Sequence, residues 1–203
     1  MAQHPSAIRQ RKRLPHWEVG GAIYFVTFRL ADSLPATVLR RLTEDRRLAL
    51  EQLRSTSSGD LRLAERQVRR LLSRRIEAYL DRGSGACPLA YAGVARVVAG
   101  VLTHFDGERY ELYAWCVMPN HVHVVFRPFD GFALADILHS WKSFSAQRIN
   151  KNLGTHGGLW QREYFDHLLR NEPQFARAIQ YVASNPIRAG LKDWKWMGVY
   201  ARD

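Results

Sequence analysis

The chain has 203 residues, of which 46% are hydrophobic, and 30 Lys and Arg against 19 Asp and Glu give it a formal net charge of +11. This length and composition predict one globular domain of ordinary size, and no region is apolar for long enough to span a bilayer. A positive excess of this size indicates a polyanionic partner, either a nucleic acid or an acidic membrane surface, unless the protein is merely basic and soluble.

The first 20 residues are rich in basic side chains and lack the apolar core of a signal peptide. We expect residues 1–20 to form a loosely structured basic arm. Four of its side chains are candidates for DNA contacts: Arg9, Arg11, Lys12 and Arg13. With no secretion signal, we expect a cytoplasmic protein whose two cysteines, Cys87 in a loop and Cys116 in a strand, stay reduced.

The first predicted elements are a strand and a helical hairpin. Residues 22–30 (AIYFVTFRL) are aromatic and β-branched, which favours a strand. Residues 36–84 indicate two helices separated by the turn-forming run STSSG at 55–59. Twelve arginines and no lysine lie between residues 36 and 84. The hairpin therefore has a basic face, which is either solvated or in contact with DNA.

The rest of the chain alternates between helix and strand. The predicted elements are a helix at 88–104, strands at 111–117 and 121–127, a helix at 132–152, a short edge strand within 160–165 and a helix at 172–184. The last helix is expected to end before Asn185-Pro186, because proline disfavours helix in the residue before it. This order predicts an α+β fold with helices packed on an antiparallel sheet.

The sharpest local motif is MPNHVHVVF, at residues 118–126. Side chains alternate between the two faces of a strand, so His121 and His123 project side by side from one face. The apolar residues between and after them take the other face, where they can pack in the core. Two neutral imidazoles at this spacing can hold a divalent cation, although they can also be ordinary sheet histidines.

A second motif, AIQYVASNP, covers residues 178–186. Residues four apart on a helix share a face, which places Tyr181 one turn from Asn185. The amide oxygen of Asn185 can ligate a metal, and the phenol of Tyr181 then lies beside the same ion. The alternative makes Tyr181 a half-buried aromatic residue and Asn185 the C-cap of the helix.

Together the two motifs predict a phosphoryl-transfer mechanism. A free tyrosine has a pKa of ~10 and stays protonated at neutral pH, so it needs activation before it can attack. A nearby divalent cation favours the phenolate and polarises the phosphodiester under attack. The product is a phosphotyrosine that conserves the bond energy for rejoining, which suits DNA strand transfer by a basic protein.

Five segments together resemble the single-tyrosine HUH transposases, and among them the REP-associated tyrosine transposases of bacteria. The segments are RLPHW (13–17), YFVTFRL (24–30), HFDGERYELYAWCVMPNHVHVVF (104–126), WQREYFDHLLRNE (160–172) and YVASNPIRAGL (181–191). The resemblance implies one catalytic domain at 21–191, with the helical hairpin at about 36–84 inserted in it, followed by a C-terminal tail at 192–203.

The resemblance also implies an α+β, ferredoxin-like (RRM-like) antiparallel sheet with helices on one face, plus the inserted basic hairpin. It implies a Mg²⁺- or Mn²⁺-dependent reaction in which Tyr181 becomes linked to a 5′-phosphate and leaves a free 3′-OH. His121 and His123 match the family's ligand pair, and Asn185 matches its third ligand. The implied partner is single-stranded DNA with hairpin repeats in the bacterial nucleoid, bound by the basic arm and by Arg162.

Two other functions stay open at the level of the sequence. A non-catalytic protein on the same scaffold binds repeat hairpins and controls or protects them. A metal-dependent nuclease hydrolyses the strand with water and does not use Tyr181. The oligomeric state is also open, because insertion-sequence relatives are dimers that exchange the tyrosine helix, whereas the REP-associated branch is compatible with a monomer.

Overall fold

The computed structural model describes residues 7–10, 15–18, 21–56 and 61–201. The strands in these ranges are β1 (Ala7–Gln10), β2 (Pro15–Glu18), β3 (Ile23–Arg29), β4 (Tyr110–Val117), β5 (His121–Pro128), β6 (Phe165–Leu169) and β7 (Met197–Val199). The helices are α1 (Ala36–Thr56), α2 (Leu61–Asp81), α3 (Ala92–Thr103), α4 (Leu134–Leu153) and α5 (Glu172–Arg188), with a 3-10 turn at Pro88–Ala90 before α3. None of the helices within the described ranges is long and apolar enough to cross a membrane.

Five strands form one antiparallel sheet in the order β6-β3-β5-β4-β7. Along the chain, β3, α3, β4, β5, α4 and β6 make a βαββαβ unit. Numbered within that unit, its four strands lie in the order 4-1-3-2, which is the ferredoxin-like arrangement. The predicted α+β, ferredoxin-like fold class is therefore confirmed, and β7 extends the sheet beyond β4.

The two crossover helices cover one face of the sheet, as predicted. Apolar side chains of α3 and α4 pack against the residues of β5 that alternate with its histidines. This core includes Val98, Leu102, Val122, Val124, Phe126, Leu138, Trp141 and Ile149. The indole N–H of Trp141 donates to the Tyr110 hydroxyl (3.0 Å), which in turn donates to the carbonyl of Leu102 (2.8 Å). Both helices are thereby tied to β4.

Helix α5 lies on the opposite face of the sheet, so the expectation of helices on one face holds for α3 and α4 but not for α5. Ala178 and Val182 of α5 pack there against Phe25, Cys116 and Val125. The central strands carry apolar side chains on both faces, so both faces need a cover. The face that bears His121 and His123 is consequently covered by α5, the helix that carries Tyr181.

The predicted end of α5 is wrong by four residues. The helix continues through Pro186 to Arg188, with Ala189 as its C-cap. A proline within a helix lacks the N–H that bonds four residues back. Here it stands in the last turn, where the Ala189 N–H still donates to the carbonyl of Asn185 (3.0 Å) and the Leu191 N–H to that of Pro186 (2.9 Å). One missing bond at this position therefore does not end the helix.

The edge strand also begins later than predicted. Trp160 makes only an isolated bridge to Leu30, and the strand proper is Phe165–Leu169. The intervening segment is a loop, because the Lys142 ammonium group donates to the backbone carbonyls of Gln161 (2.7 Å) and Arg162 (2.8 Å). Lys142 thus fixes the conformation of the loop that carries Arg162.

The described residues of the N-terminal arm, 7–10 and 15–18, form two strands. β1 and β2 pair as an antiparallel ribbon in which Arg9 stands opposite His16. The expectation of a loosely structured arm is therefore wrong for these two strands. Arg11, Lys12 and Arg13 lie outside the described residues.

The helical hairpin belongs to a compact unit of its own, residues 32–87. Leu34, Leu42 and Leu80 form its small core, and an ion pair of 2.6 Å joins Arg75 to Asp45. Exposed pairs of this kind contribute little to stability, so the apolar contacts hold the hairpin together.

Candidate active site

The histidine pair lies at the centre of the sheet and is inaccessible to solvent. β5 is flanked by β3 and β4, and only 1% of His121 and none of His123 is exposed. The strand register places Arg29 opposite His121 and Thr27 opposite His123 on the same face. The predicted orientation of both imidazoles toward one face is realised in the structure.

Each imidazole is oriented by a hydrogen bond at Nδ1, and the two rings meet at Nε2. His121 Nδ1 lies 2.7 Å from the side-chain oxygen of Asn120, and His123 Nδ1 lies 2.7 Å from the hydroxyl of Thr27. The two Nε2 atoms are 3.0 Å apart. Because an amide oxygen only accepts, His121 carries its proton on Nδ1, and its Nε2 lone pair faces His123.

Burial keeps both histidines neutral. It lowers the pKa of His121 to about 3. The pKa of His123 falls well below its ordinary value, first through burial and then through the neighbouring His121 and the positive charge of Arg188. A neutral imidazole is the form that ligates metals, so no proton needs to be displaced from charged rings before a cation binds.

Tyr181 lies directly beside this pair. Its ring centroid is 5.2 Å from that of His123, and it makes an edge-to-face contact with Phe25 at 5.6 Å. The ring of Phe25 also stacks on His123 at 5.6 Å. The guanidinium carbon of Arg188 lies 5.3 Å from the centre of the Tyr181 ring. The phenol is therefore held between the sheet and the last turn of α5.

Asn185 is buried one turn after Tyr181 on the same helix, with 1% of its surface exposed. It is not the C-cap, because α5 continues beyond it. Neither its amide oxygen nor its amide nitrogen has a hydrogen-bond partner among the described residues. A buried polar group without a partner costs free energy, so an amide left in this state calls for a ligand.

These donors fit a divalent cation. The two imidazole nitrogens are about 3 Å apart, which is the spacing expected of two ligands that bind the same ion at about 2.1 Å. The amide oxygen of Asn185, which has no hydrogen-bond partner among the described residues, can supply an oxygen ligand. The described residues contain no cluster of three or more His, Cys, Asp and Glu side chains. A cation held by His121, His123 and Asn185 therefore keeps its full charge for anionic partners.

Within the described ranges, two predicted DNA-binding residues lie on other segments, Arg9 and Arg162. Arg162 is exposed in the loop that Lys142 anchors, and the N–H of the preceding Gln161 donates to the carbonyl of Arg29 (2.8 Å). The backbone next to Arg162 is thus hydrogen-bonded to the end of β3 that lies opposite His121. Arg9 lies on the separate ribbon formed by β1 and β2.

Four residues at the site were not identified from the sequence: Thr27, Arg29, Asn120 and Arg188. Asn120 stands in the MPNHVH run and Thr27 in YFVTFRL, so both motifs contained the signal. The partner of Thr27 follows only from the register between β3 and β5, which sequence patterns do not give.

Part of the chain that contains this geometry is similar to a known protein family. Residues 95–185 match the family model described as "Transposase IS200 like". The match begins in α3 and ends at Asn185, so it contains the histidine pair and Tyr181. Over these residues the chain is similar to the IS200-like transposases.

Two curated proteins narrow the relationship to one branch. A "Putative REP-associated tyrosine transposase" of Haemophilus influenzae is 28% identical over 102 residues, which cover 43% of this chain and 57% of that protein. The "REP-associated tyrosine transposase" of Escherichia coli is 26% identical over 93 residues, which cover 42% of this chain and 52% of that protein. The chain thus spans a little over half the length of the curated relatives it matches. The resemblance to REP-associated tyrosine transposases is confirmed.

A solved structure is also similar over the whole chain. It is described as "Structure of the REP associates tyrosine transposase bound to a REP hairpin" and is 14% identical, with a TM-score of 0.48, covering 100% of this chain and 93% of that one.

Proposed function

We propose that this protein cleaves and joins single-stranded DNA at hairpin repeats, with Tyr181 as nucleophile and a divalent cation held by His121, His123 and Asn185. The observation that carries the proposal is the contact of the Tyr181 ring with a buried, neutral histidine pair, 5.2 Å from His123. A structural tyrosine needs no such neighbours, whereas a phosphoryl-transfer site needs a nucleophile next to an electrophilic centre.

The chemical step exchanges one phosphoester for another. The phenol of Tyr181 gives its proton to water, and its oxygen attacks the scissile phosphorus. The new bond between Tyr181 and the 5′-phosphate forms as the bond to O3′ breaks, and O3′ takes up a proton to leave as a free 3′-OH. Attack by a 3′-OH on the phosphotyrosine reverses the step and joins strands. No net energy source is needed, because one ester bond replaces another.

The protein's own residues prepare this step. Phe25 and His123 pack against the Tyr181 ring, so the nucleophile does not have to be ordered during the reaction. Thr27 and Asn120 fix the two imidazole rings. When bound, the cation polarises the phosphate and favours the phenolate.

The ligand set also bears on the choice of cation. Mg²⁺ prefers oxygen ligands and retains water, whereas imidazoles favour later transition metals. Mg²⁺ is suitable here if phosphate and water complete the shell around the two nitrogens. We expect Mn²⁺ to support the reaction at a lower concentration than Mg²⁺. Activity that appears only with added Zn²⁺ contradicts this expectation.

A denaturing gel separates the proposal from its two alternatives. The protein is incubated with a labelled single strand that contains a repeat hairpin, in Mg²⁺ or Mn²⁺. We expect a covalent protein–DNA adduct that is absent in Tyr181→Phe. Cleavage that survives Tyr181→Phe identifies a nuclease that uses water. Binding without cleavage under any metal condition identifies a non-catalytic hairpin-binding protein.

The hairpin substrate is proposed from the REP-associated relatives and from the net charge of +11. We propose the N-terminal arm, with Arg9, Arg11, Lys12 and Arg13, as the element that contacts DNA beside the hairpin, and Arg162 as a further contact. Deletion of residues 1–14 should weaken binding to hairpin strands more than binding to an unstructured strand. Equal weakening on both indicates a contact with the backbone alone.

A further inference from the structure

We propose that Arg188 is the residue that holds the scissile phosphate over Tyr181. The inference rests on the proposed function and adds to it a protein group that contacts the substrate. Arg188 is the seventh residue after Tyr181 and the third after Asn185 on α5. Residues at i, i+4 and i+7 share one face of a helix, so the nucleophile, the amide and the guanidinium project on the same side.

The distances place the guanidinium at the reacting group. Its central carbon lies 5.3 Å from the centre of the Tyr181 ring. A phosphate positioned for attack by the Tyr181 oxygen, next to a cation on the histidines, comes within reach of a flexible arginine at this point.

The charge of Arg188 is available for an anion. Its side chain is exposed, and no carboxylate of the described residues forms an ion pair with it. By contrast, the guanidinium groups of Arg75 and Arg127 each lie within 2.7 Å of a carboxylate oxygen. The candidate ligands His121, His123 and Asn185 are all neutral. The site thus combines neutral candidate metal ligands with a guanidinium that has no carboxylate partner, and the described part of the chain adds no acidic cluster, an arrangement that suits a phosphodiester.

A purely structural role for Arg188 makes a different prediction. An arginine in the last turn of a helix interacts favourably with the helix dipole, and a guanidinium over an aromatic ring adds a cation–π contact. In that case, removal of the charge lowers thermal stability and leaves DNA affinity unchanged. The two roles are therefore separable by measuring affinity and stability on the same variants.

The test uses the full chain with Tyr181→Phe, in EDTA, so that neither cleavage nor metal affects the result. Fluorescence anisotropy measures binding of a fluorescein-labelled single strand that contains one hairpin with unpaired flanks. We expect Arg188→Gln to weaken binding about tenfold, the effect of one charge-assisted hydrogen bond, and to reduce the salt dependence by about one phosphate contact. Arg188→Lys keeps the charge but loses the planar guanidinium group, so its affinity should lie between those of Arg188→Gln and the protein with Arg188 intact.

The matched control is Arg96→Gln. Arg96 is an exposed arginine on α3, which covers the opposite face of the sheet. Its substitution therefore removes one positive charge at a position away from the site. Thermal unfolding of each variant checks that the fold is retained. Equal affinity and equal salt dependence for Arg188→Gln and Arg96→Gln overturn the proposal.

A second measurement addresses the reaction itself. With Tyr181 intact and Mn²⁺ present, Arg188→Gln should slow adduct formation at saturating DNA, whereas Arg96→Gln should not. If the unsubstituted chain forms no adduct that depends on Tyr181, the proposed function fails. The metal-free binding experiment still decides the role of Arg188, because it requires no catalysis.

Discussion

The Nε2 atoms of His121 and His123 face each other at 3.0 Å in the middle of the sheet. Because the Asn120 oxygen fixes the proton of His121 on Nδ1, the metal-free pair is held together by a proton on Nε2 of His123. A shared cation requires that proton to move to Nδ1 of His123. The Thr27 hydroxyl allows both states, since it can donate to Nδ1 or accept from it. The pair can therefore accept a cation through a change of the His123 tautomer, with both rings staying neutral.

The first prediction concerns the ligands. His121→Gln and His123→Gln should each lower the rate of metal-dependent adduct formation about a hundredfold or more, since a bound cation contributes several kcal/mol of transition-state stabilisation. Quantitative denaturing gels measure the rate. His139→Gln, at an exposed position on α4, is the control and should react like the unsubstituted protein. Adduct formation that is unaffected in both ligand variants contradicts the assignment.

The second prediction concerns stability against pH in the presence of a chelator. The pKa values of His121 and His123 in the folded protein lie below the ordinary value of 6.5. The unfolded chain therefore binds more protons as the pH falls below about 6.5, and folding stability falls with it. Between pH 7.5 and 5.5 the two histidines together should lower the free energy of unfolding by about 2–3 kcal/mol.

Denaturant titrations at a series of pH values measure the slope of the free energy of unfolding against pH. The double substitution His121→Gln with His123→Gln should remove most of it, whereas His139→Gln should retain it. An unchanged slope in the double variant would show that other groups cause the acid sensitivity.

The third prediction concerns Thr27, whose hydroxyl orients His123. Thr27→Val keeps the shape and removes the hydroxyl, so the ring loses its partner at Nδ1. The Mn²⁺ concentration that gives half-maximal adduct formation should rise about 10- to 100-fold, the usual effect of losing a hydrogen bond to a metal-bound histidine. Thr27→Ser retains the hydroxyl and should stay close to the unsubstituted protein. Identical metal dependence in the two variants argues against this role.

Particular residues show what the sequence could and could not predict. The alternation in HVHVVF determines which side chains of β5 share a face, because a strand has a period of two, and the structure agrees. The helical repeat likewise predicts that Tyr181 and Asn185 are neighbours. Thr27 could not be assigned as a partner of His123, because 96 residues separate them and only the strand register brings them together.

The proline at 186 shows a different limit. An Asn-Pro pair usually predicts a helix boundary, but the effect of a proline depends on how many turns follow it. Two helical residues follow Pro186, so the helix extends far enough to carry Arg188 onto the face of Tyr181. A rule based on residue type alone ends the helix at 184 and therefore misses Arg188.

The fourth prediction concerns the packing of β7 on β4. A Cβ atom at Gly198 would lie 2.6 Å from Nε1 of Trp115, a buried indole that donates to the Tyr200 hydroxyl at 3.2 Å. Gly198→Ala should therefore lower the free energy of unfolding by about 1–3 kcal/mol, as overpacking usually does. Gly100→Ala is the matched control, because nothing lies within 4 Å of its added carbon within α3.

We expect Gly100→Ala to raise stability by about 0.5–1 kcal/mol through its higher helix propensity. The midpoint of denaturant unfolding, at unchanged slope, measures both effects. A neutral Gly198→Ala would show that Trp115 repacks at no cost.

The last prediction concerns whether one chain supplies the whole site. In this structure Tyr181 contacts His123 of its own chain, and α5 packs on its own sheet through Ala178 and Val182. A monomer with a complete site is therefore expected to be active.

Two inactive variants, Tyr181→Phe and His121→Gln, can be co-expressed with tags of different size and assayed together. With a site built from one chain, neither product forms an adduct. In a dimer that exchanges α5, one of the two composite sites combines an intact tyrosine with intact histidines, and an adduct appears on the chain that carries His121→Gln. That result, together with an unsubstituted protein that elutes as a dimer, would require the tyrosine helix to be exchanged in solution.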